Sequence, residues 1–220
     1  MSGNAVPHPP QPFPDTLHTI VLPSGSELNR IYSPDYPGNA FNPTHTKLNR
    51  FSPIFDTRGE VVPVLYAASS RTAAIYETLF HDAAVKASSH KSLPIKALNK
   101  HYGLWLTQRR LTLATLHAPD LARFRVTVDQ LTATNAMYYP ITARWAEAIH
   151  RAHPSIDGLE WTSYRAGPDK AYILFGDRVK GTELVLAGHE MLILTNAALY
   201  EDVLECGLRC GVRVHRSKLP

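Results

Sequence analysis

Short apolar runs dominate the hydrophobic pattern of this chain, and segments with helical spacing are fewer. Alternating or continuous apolar positions predict strands at residues 61–67 and 104–116, a strand–turn–strand unit at 157–178, and one or two further strands at 181–195. Residues 17–34 are typical of a strand or short helix that leads into a second strand.

Three segments carry a helical pattern instead. The clearest begins at Pro140 and is stopped by Pro154, with its large apolar side chains on one side. A second follows the N-cap candidates Ser69 and Ser70, and a third follows Asn196. Strands outnumber helices and do not alternate with them regularly, and the chain has no internal repeat. The pattern therefore predicts an α+β fold.

Two features modify this outline. Pro63 lies near the start of the strand at 61–67, which predicts an edge or a bulge at that point. Residues 35–47 are rich in Pro, Asn, Gly and Thr and predict a long loop. Loops of that length often carry function, although a surface excursion without a role fits the sequence equally well.

Composition and charge restrict the class of protein. The chain has 220 residues, of which 44% are hydrophobic and 19% are charged, as is typical of a globular domain. No apolar run reaches the roughly 18 residues of a membrane span, and the N-terminus lacks the pattern of a secretory signal. Only two cysteines occur, which favours the cytoplasm. We expect a Pro-rich flexible or extended segment at 1–15 and a single domain at 16–220.

Several chemistries lack their sequence signals. The chain has neither a P-loop nor the glycine fingerprint of a dinucleotide-binding fold, so side chains would have to hold any phosphate. Cys206, Cys210 and His215 match a zinc site poorly, and no metal is expected. A Ser–His–acid hydrolase stays open, although no G-x-S-x-G motif occurs. The net charge of +4 permits an anionic partner, and no motif indicates direct nucleic-acid binding.

A lone carboxylate stands out in the segment from residue 50 to residue 77. Glu77 lies on the predicted helix after Ser70, where Ala73, Ala74 and Phe80 share its face. This arrangement places the carboxylate over a small, smooth patch that a ligand could approach. Taken alone, a boundary glutamate with its head in solvent is the more common explanation.

The order of the polar residues resembles the RES domain family, which is named for an arginine, a glutamate and a serine. The similar segments are Arg50-Phe51-Ser52, VLYAAS at 64–69, AAIYE at 73–77 and EWTSYRAG…YILFGDR at 160–178. Carried over by position, the family's arginine is Arg50, its tyrosine Tyr66, its glutamate Glu77 and its serine Ser163. Arg30 matches a second arginine that the family commonly places near its first strand.

The sequence also departs from the family pattern. Asn49 stands where glycine is usual, and the segment between Arg50 and Tyr66 is longer than typical. The Pro-rich N-terminal segment has no counterpart in the family core. The resemblance covers about residues 28–215.

The resemblance implies a fold like that of ADP-ribosyltransferases, with a split β-sheet core and a cleft that holds NAD. It implies a bacterial toxin that consumes NAD+ in the cell, with an Xre-like antitoxin covering the cleft. Family members hydrolyse NAD+, cleave it with phosphate, or transfer ADP-ribose to a protein, and the sequence does not choose among these acceptors. A catalytically inactive domain that only binds a partner is the remaining alternative.

The chemistry of the matched residues suits NAD+ as a substrate. An arginine such as Arg50 gives the two phosphates a permanently charged, bidentate partner, and Arg30 is a second candidate for cofactor binding. Tyr66 could stack on the nicotinamide cation. Cleavage develops oxocarbenium character at the ribose, which the Glu77 carboxylate would stabilise. Ser163 suits a hydrogen bond to the nicotinamide amide or to the ribose.

Overall fold

A computed structural model describes residues 5–44, 46–81 and 92–214 of the chain. These residues form an α+β fold, as predicted, with one large mixed sheet and two small sheets. The thirteen strands are β1 (Thr19–Leu22), β2 (Glu27–Tyr32), β3 (Ile54–Phe55), β4 (Val61–Val62), β5 (Val64–Ala68), β6 (Ser92–Leu93), β7 (His101–Thr107), β8 (Leu111–Thr115), β9 (Gly158–Thr162), β10 (Lys170–Phe175), β11 (Leu184–Leu186), β12 (Met191–Leu192) and β13 (Arg213–Val214).

Five α-helices lie in the same residues. They are α1 (Arg71–Leu79), α2 (Ala118–Ala122), α3 (Val128–Leu131), α4 (Tyr139–Ala152) and α5 (Ala197–Arg209). Short 3-10 helices occur at Ile95–Leu98, Ala136–Tyr138 and Gly181–Glu183. In the described part of the chain, no helix has the length and apolar character needed to span a membrane.

The large sheet has the strand order β1-β8-β9-β10-β5-β2-β7-β11, and β12 also pairs with β7. Within it β8 and β9 run parallel, and the other neighbours are antiparallel. Strand β5 occupies the middle of this order, between β10 and β2. Its C-terminal end leads directly into α1, so this helix starts at the centre of the sheet.

The two faces of the sheet are covered differently. Side chains alternate along β5, so Leu65 and Ala67 pack with Leu28 on one face. Tyr66 lies on the opposite face, in the apolar cluster that contains the buried side of α4. Ala68, on the same face as Tyr66, packs in the cluster formed with α1 and α5. The helices α1 and α4 therefore lie on the face of the sheet to which Tyr66 belongs.

Most predicted elements are confirmed, and Pro63 needs a correction. The proline does not mark an edge or a bulge of one strand. It separates two strands, of which β4 pairs with β3, whereas β5 is hydrogen-bonded on both sides in the large sheet. The helix predicted at 72–85, after Ser70, begins at Arg71 and ends at Leu79; Phe80 and His81 are not helical, and 82–85 lie outside the described residues. His215 also lies outside them.

Residues 5–15 form neither a helix nor a strand and lie against the core. Val6 is buried, the indole Nε1 of Trp145 donates a hydrogen bond of 2.8 Å to the carbonyl of Pro7, and Phe13 meets the Trp145 ring edge-on at 6.2 Å between centroids. The sequence pattern did not indicate these contacts. The flexibility of the segment stays a prediction.

Candidate active site

Helix α1 holds Glu77 at the helix-covered face of the sheet. The helix starts because the Ser70 hydroxyl accepts a hydrogen bond from the backbone N–H of Ala73, the usual N-cap arrangement. Ala73 and Ala74, in the first turn of this helix, are buried, and their small side chains allow the helix to pack closely. Glu77 follows one turn later, with its side chain 19% exposed.

Arg50 reaches Glu77 from a turn in the segment before β3. Backbone hydrogen bonds between Asn49 and Ser52 close this turn in both directions. The hydroxyl of Thr142, on α4, donates a hydrogen bond to the carbonyl of Arg50 and ties the turn to the helix. The Arg50 guanidinium then lies 3.4 Å from a carboxylate oxygen of Glu77, measured from Nη1 to Oε2.

Ser163 reaches the same carboxylate from the end of β9. Its hydroxyl donates a hydrogen bond of 2.7 Å to Oε1 of Glu77. The serine is fully buried, and its backbone N–H donates to the carbonyl of Asp169 across the turn that joins β9 to β10. Residues far apart in the sequence thus meet at one carboxylate.

Each oxygen of the Glu77 carboxylate has a hydrogen-bond partner, whereas one N–H of the Arg50 guanidinium has none among the described residues. One oxygen of Glu77 pairs with Arg50 and the other accepts from Ser163. Arg50 is 11% exposed, and its buried Nε–H has no hydrogen-bond partner among the described residues. A buried donor without a partner costs free energy, so an acceptor supplied by a ligand would be favourable here.

Tyr66, on β5, contacts the turn that carries Arg50. Its hydroxyl accepts a hydrogen bond of 3.2 Å from the backbone N–H of Phe51 and lies 3.2 Å from the Ser52 hydroxyl. Burial raises the pKa of Tyr66 to about 12, so the phenol stays protonated at neutral pH. The structure therefore brings Arg50, Glu77, Ser163 and Tyr66 into one cluster.

Arg30 lies apart from this cluster. On β2 it faces the same side as Leu28, which is the side opposite to that of Tyr66. Its guanidinium donates hydrogen bonds to the carbonyls of Gly38 and Ala40 and so fixes the loop after β2. Burial lowers the pKa of Arg30 to about 10, and the group stays charged at neutral pH. The predicted grouping of Arg30 with the other cofactor-binding residues is corrected, because the strand turns its side chain to the other face.

Helix α4 contributes residues that the sequence did not single out. Besides Thr142, Tyr139 places its ring 5.8 Å from the guanidinium carbon of Arg50, within the range of a cation–π contact. Glu147 accepts a hydrogen bond of 2.9 Å from the backbone N–H of Phe55. The one available signal was the position of these residues on the amphipathic helix, which does not reveal what the helix packs against.

Comparisons with known proteins agree with this fold. The RES domain profile matches residues 27–193, which include all the residues of the cluster. The chain belongs to the RES domain family. A chain in the crystal structure of the M. tuberculosis MbcT-MbcA toxin-antitoxin complex shares the fold, with a TM-score of 0.55 at 15% identity over 83% of this chain and 91% of that one. A comparison with curated protein sequences finds no match.

Proposed function

We propose that this chain cleaves the nicotinamide–ribose bond of NAD+ and acts as the toxin of a toxin–antitoxin pair. The observation that carries the proposal is the convergence of Arg50 and Ser163 on the Glu77 carboxylate, within a chain of the RES family. A cation, a carboxylate and a hydroxyl in one partly buried cluster are suited to a substrate that has a diphosphate next to a ribose.

Arg50 would bind the diphosphate. Phosphate oxygens accept bidentate hydrogen bonds from a guanidinium, and the Nε–H of Arg50 is a donor with no partner among the described residues. The diphosphate would also draw the guanidinium away from Glu77, since the present separation of 3.4 Å is long for a charge-assisted hydrogen bond. That shift would leave the carboxylate facing the ribose.

Glu77 would stabilise the positive charge that develops on the ribose as nicotinamide leaves. The cleavage resembles glycoside hydrolysis, in which a carboxylate stands close to the oxocarbenium carbon. Ser163 donates a hydrogen bond to Glu77, and we propose that it orients the carboxylate. The Tyr66 ring is the proposed aromatic surface for nicotinamide.

A protein partner follows from the same proposal. MbcT is found with an antitoxin, MbcA, and we extend that pairing to this chain. Three exposed apolar side chains adjoin the cluster in sequence: Leu48 before Arg50, Met137 before α4, and Tyr164 after Ser163, with exposures of 48%, 74% and 57%. Exposed apolar groups around a site suit coverage by another protein, for which we propose an Xre-like antitoxin.

The identity of the acceptor can be tested directly. The purified chain is incubated with NAD+, with and without inorganic phosphate and with cell extract, and all products are identified by mass spectrometry. Nicotinamide with free ADP-ribose indicates hydrolysis, ADP-ribose-1″-phosphate indicates phosphorolysis, and a labelled protein indicates transfer. We expect cleavage by the parent chain and none by Glu77→Ala. Absence of turnover under every condition would refute the enzymatic proposal and favour an inactive partner-binding domain.

A further inference from the structure

We propose that the Tyr66 hydroxyl is a positioning group, which acts on the reaction by holding the turn that carries Arg50. This inference rests on the proposed NAD+ cleavage and adds a role for the phenol that is separate from the role of the ring. It concerns how Arg50 reaches the position in which it can bind a diphosphate.

The contacts of the hydroxyl carry the inference. Both of its hydrogen-bonding neighbours, the Phe51 N–H and the Ser52 hydroxyl, belong to the two residues directly after Arg50. The phenol therefore contacts the backbone of the turn from β5, in the centre of the sheet. Thr142 holds the carbonyl of Arg50 from α4 on another side.

The arrangement explains how an irregular turn can present a charged side chain accurately. The turn is closed by two backbone hydrogen bonds between Asn49 and Ser52 and belongs to no regular sheet. The phenol on β5 bonds the N–H of the Arg50–Phe51 peptide and Thr142 on α4 bonds its carbonyl, so this peptide is attached to two regular elements. Accurate placement matters, because a displacement of about 1 Å at a catalytic group can cost on the order of 10²-fold in rate.

A direct contact between the phenol and the substrate is the competing role. The hydroxyl has two protein neighbours at 3.2 Å, and burial keeps it protonated. A hydroxyl that bonds only the turn affects the reaction through the position of Arg50. A hydroxyl that contacts the substrate would affect the reaction independently of Arg50. The two roles differ in whether the effect of removing the hydroxyl depends on Arg50.

The first measurement is hydrogen exchange at the Phe51 amide, followed by NMR. Tyr66→Phe removes the acceptor of this amide without changing the shape of the ring, so we expect its exchange to quicken by roughly tenfold. Tyr172→Phe is the matched control. Tyr172 is a buried tyrosine on the adjacent strand β10, it faces the other side of the sheet, and burial also raises its pKa to about 12. The control should leave exchange at Phe51 unchanged.

The second measurement is a double-mutant cycle on NAD+ cleavage. Tyr66→Phe should lower kcat/KM roughly 10- to 100-fold in the parent chain, but less than about threefold when Arg50→Lys is already present. Tyr172→Phe should leave kcat and KM as in the parent. The thermal midpoint of each variant separates loss of folding from loss of positioning.

The outcomes are distinct. Equal losses of kcat/KM in both backgrounds, or no loss in the parent, would overturn the positioning role. Unchanged exchange at the Phe51 amide in Tyr66→Phe would overturn it as well. If the parent chain cleaves no NAD+, the proposed function fails, and the exchange measurement still decides whether the phenol holds the turn.

Discussion

Replacing Glu77 by glutamine tests the central charge of the proposed site. The change keeps the size of the side chain and an oxygen that can accept from Ser163, but it removes the negative charge opposite Arg50. A simple Coulomb term for unit charges 3.4 Å apart is about 5 kcal/mol at an effective dielectric constant of ~20. Desolvation of both groups offsets much of this attraction.

Two effects of different size follow. The folded state loses roughly 1–3 kcal/mol, because a glutamine N–H₂ facing the guanidinium leaves a charged donor without its acceptor. The barrier to NAD+ cleavage rises by about 3–4 kcal/mol, because the charge that would stabilise the oxocarbenium ion is gone, and kcat/KM falls on the order of 10²–10³-fold. The loss of activity should therefore be seen in fully folded protein.

The assay measures nicotinamide release at several NAD+ concentrations, alongside urea unfolding of the same samples. Glu160→Gln is the matched control. Glu160 is a buried carboxylate on β9, three residues before Ser163, and it is 2.9 Å from Nε2 of His117. We expect this control to lose stability and keep its activity. Glu77→Gln activity within about threefold of the parent would show that the charge of Glu77 has no part in the reaction.

Three further predictions concern the stability of the framework. Gly158→Ala should lower the free energy of unfolding in urea by about 3 kcal/mol or more, since the added methyl would lie 2.0 Å from the carbonyl oxygen of Ile173. Gly167→Ala is the control and should be close to neutral, because no atom lies nearer than 3.5 Å to its added methyl. Burial and the Arg178 guanidinium lower the pKa of His150 below 6.5. The unfolded chain then binds this proton more readily, so the free energy of unfolding should fall as the pH drops below about 6.5. The total fall is ~1.4 kcal/mol for each pH unit by which folding lowers the pKa, and His150→Asn should flatten this pH dependence. Arg109→Met should lower the free energy of unfolding in urea by roughly 1–3 kcal/mol, because the carboxylates of Asp157 and Glu183 lose their hydrogen bonds from the guanidinium. A loss below ~0.5 kcal/mol would contradict this.

Local signals were sufficient for most of the secondary structure. Pro140 and Pro154 bracket α4 because proline is favoured in the first turn of a helix and cannot continue one. Asn196 and Ser70 cap their helices through side-chain oxygens, as their residue types predict. Each of these features depends on neighbours within a few residues, so the sequence contains the whole cause.

Contacts between segments that are distant in the sequence could not be predicted from such local signals. Phe13 lies in a stretch whose prolines indicate only that it is not helical, yet its ring packs on Trp145. Thr142 is fully buried and its hydroxyl donates a hydrogen bond to the carbonyl of Arg50, a partner that helical periodicity does not predict. Burial of this kind depends on which surface each element meets, and that is decided by the assembled sheet.

The two arginines show where residue chemistry stops being informative. Arg30 and Arg50 are both followed by an apolar residue, and either could be assigned to phosphate binding from its charge alone. Strand β2 is extended, so its alternation turns Arg30 toward the carbonyls of Gly38 and Ala40, where its hydrogen bonds hold a loop. Arg50 lies in a turn, free of that alternation, and its direction is set by the contacts of the turn with Tyr66 and α4. The backbone that carries each arginine therefore determines which of the two lies in the candidate site.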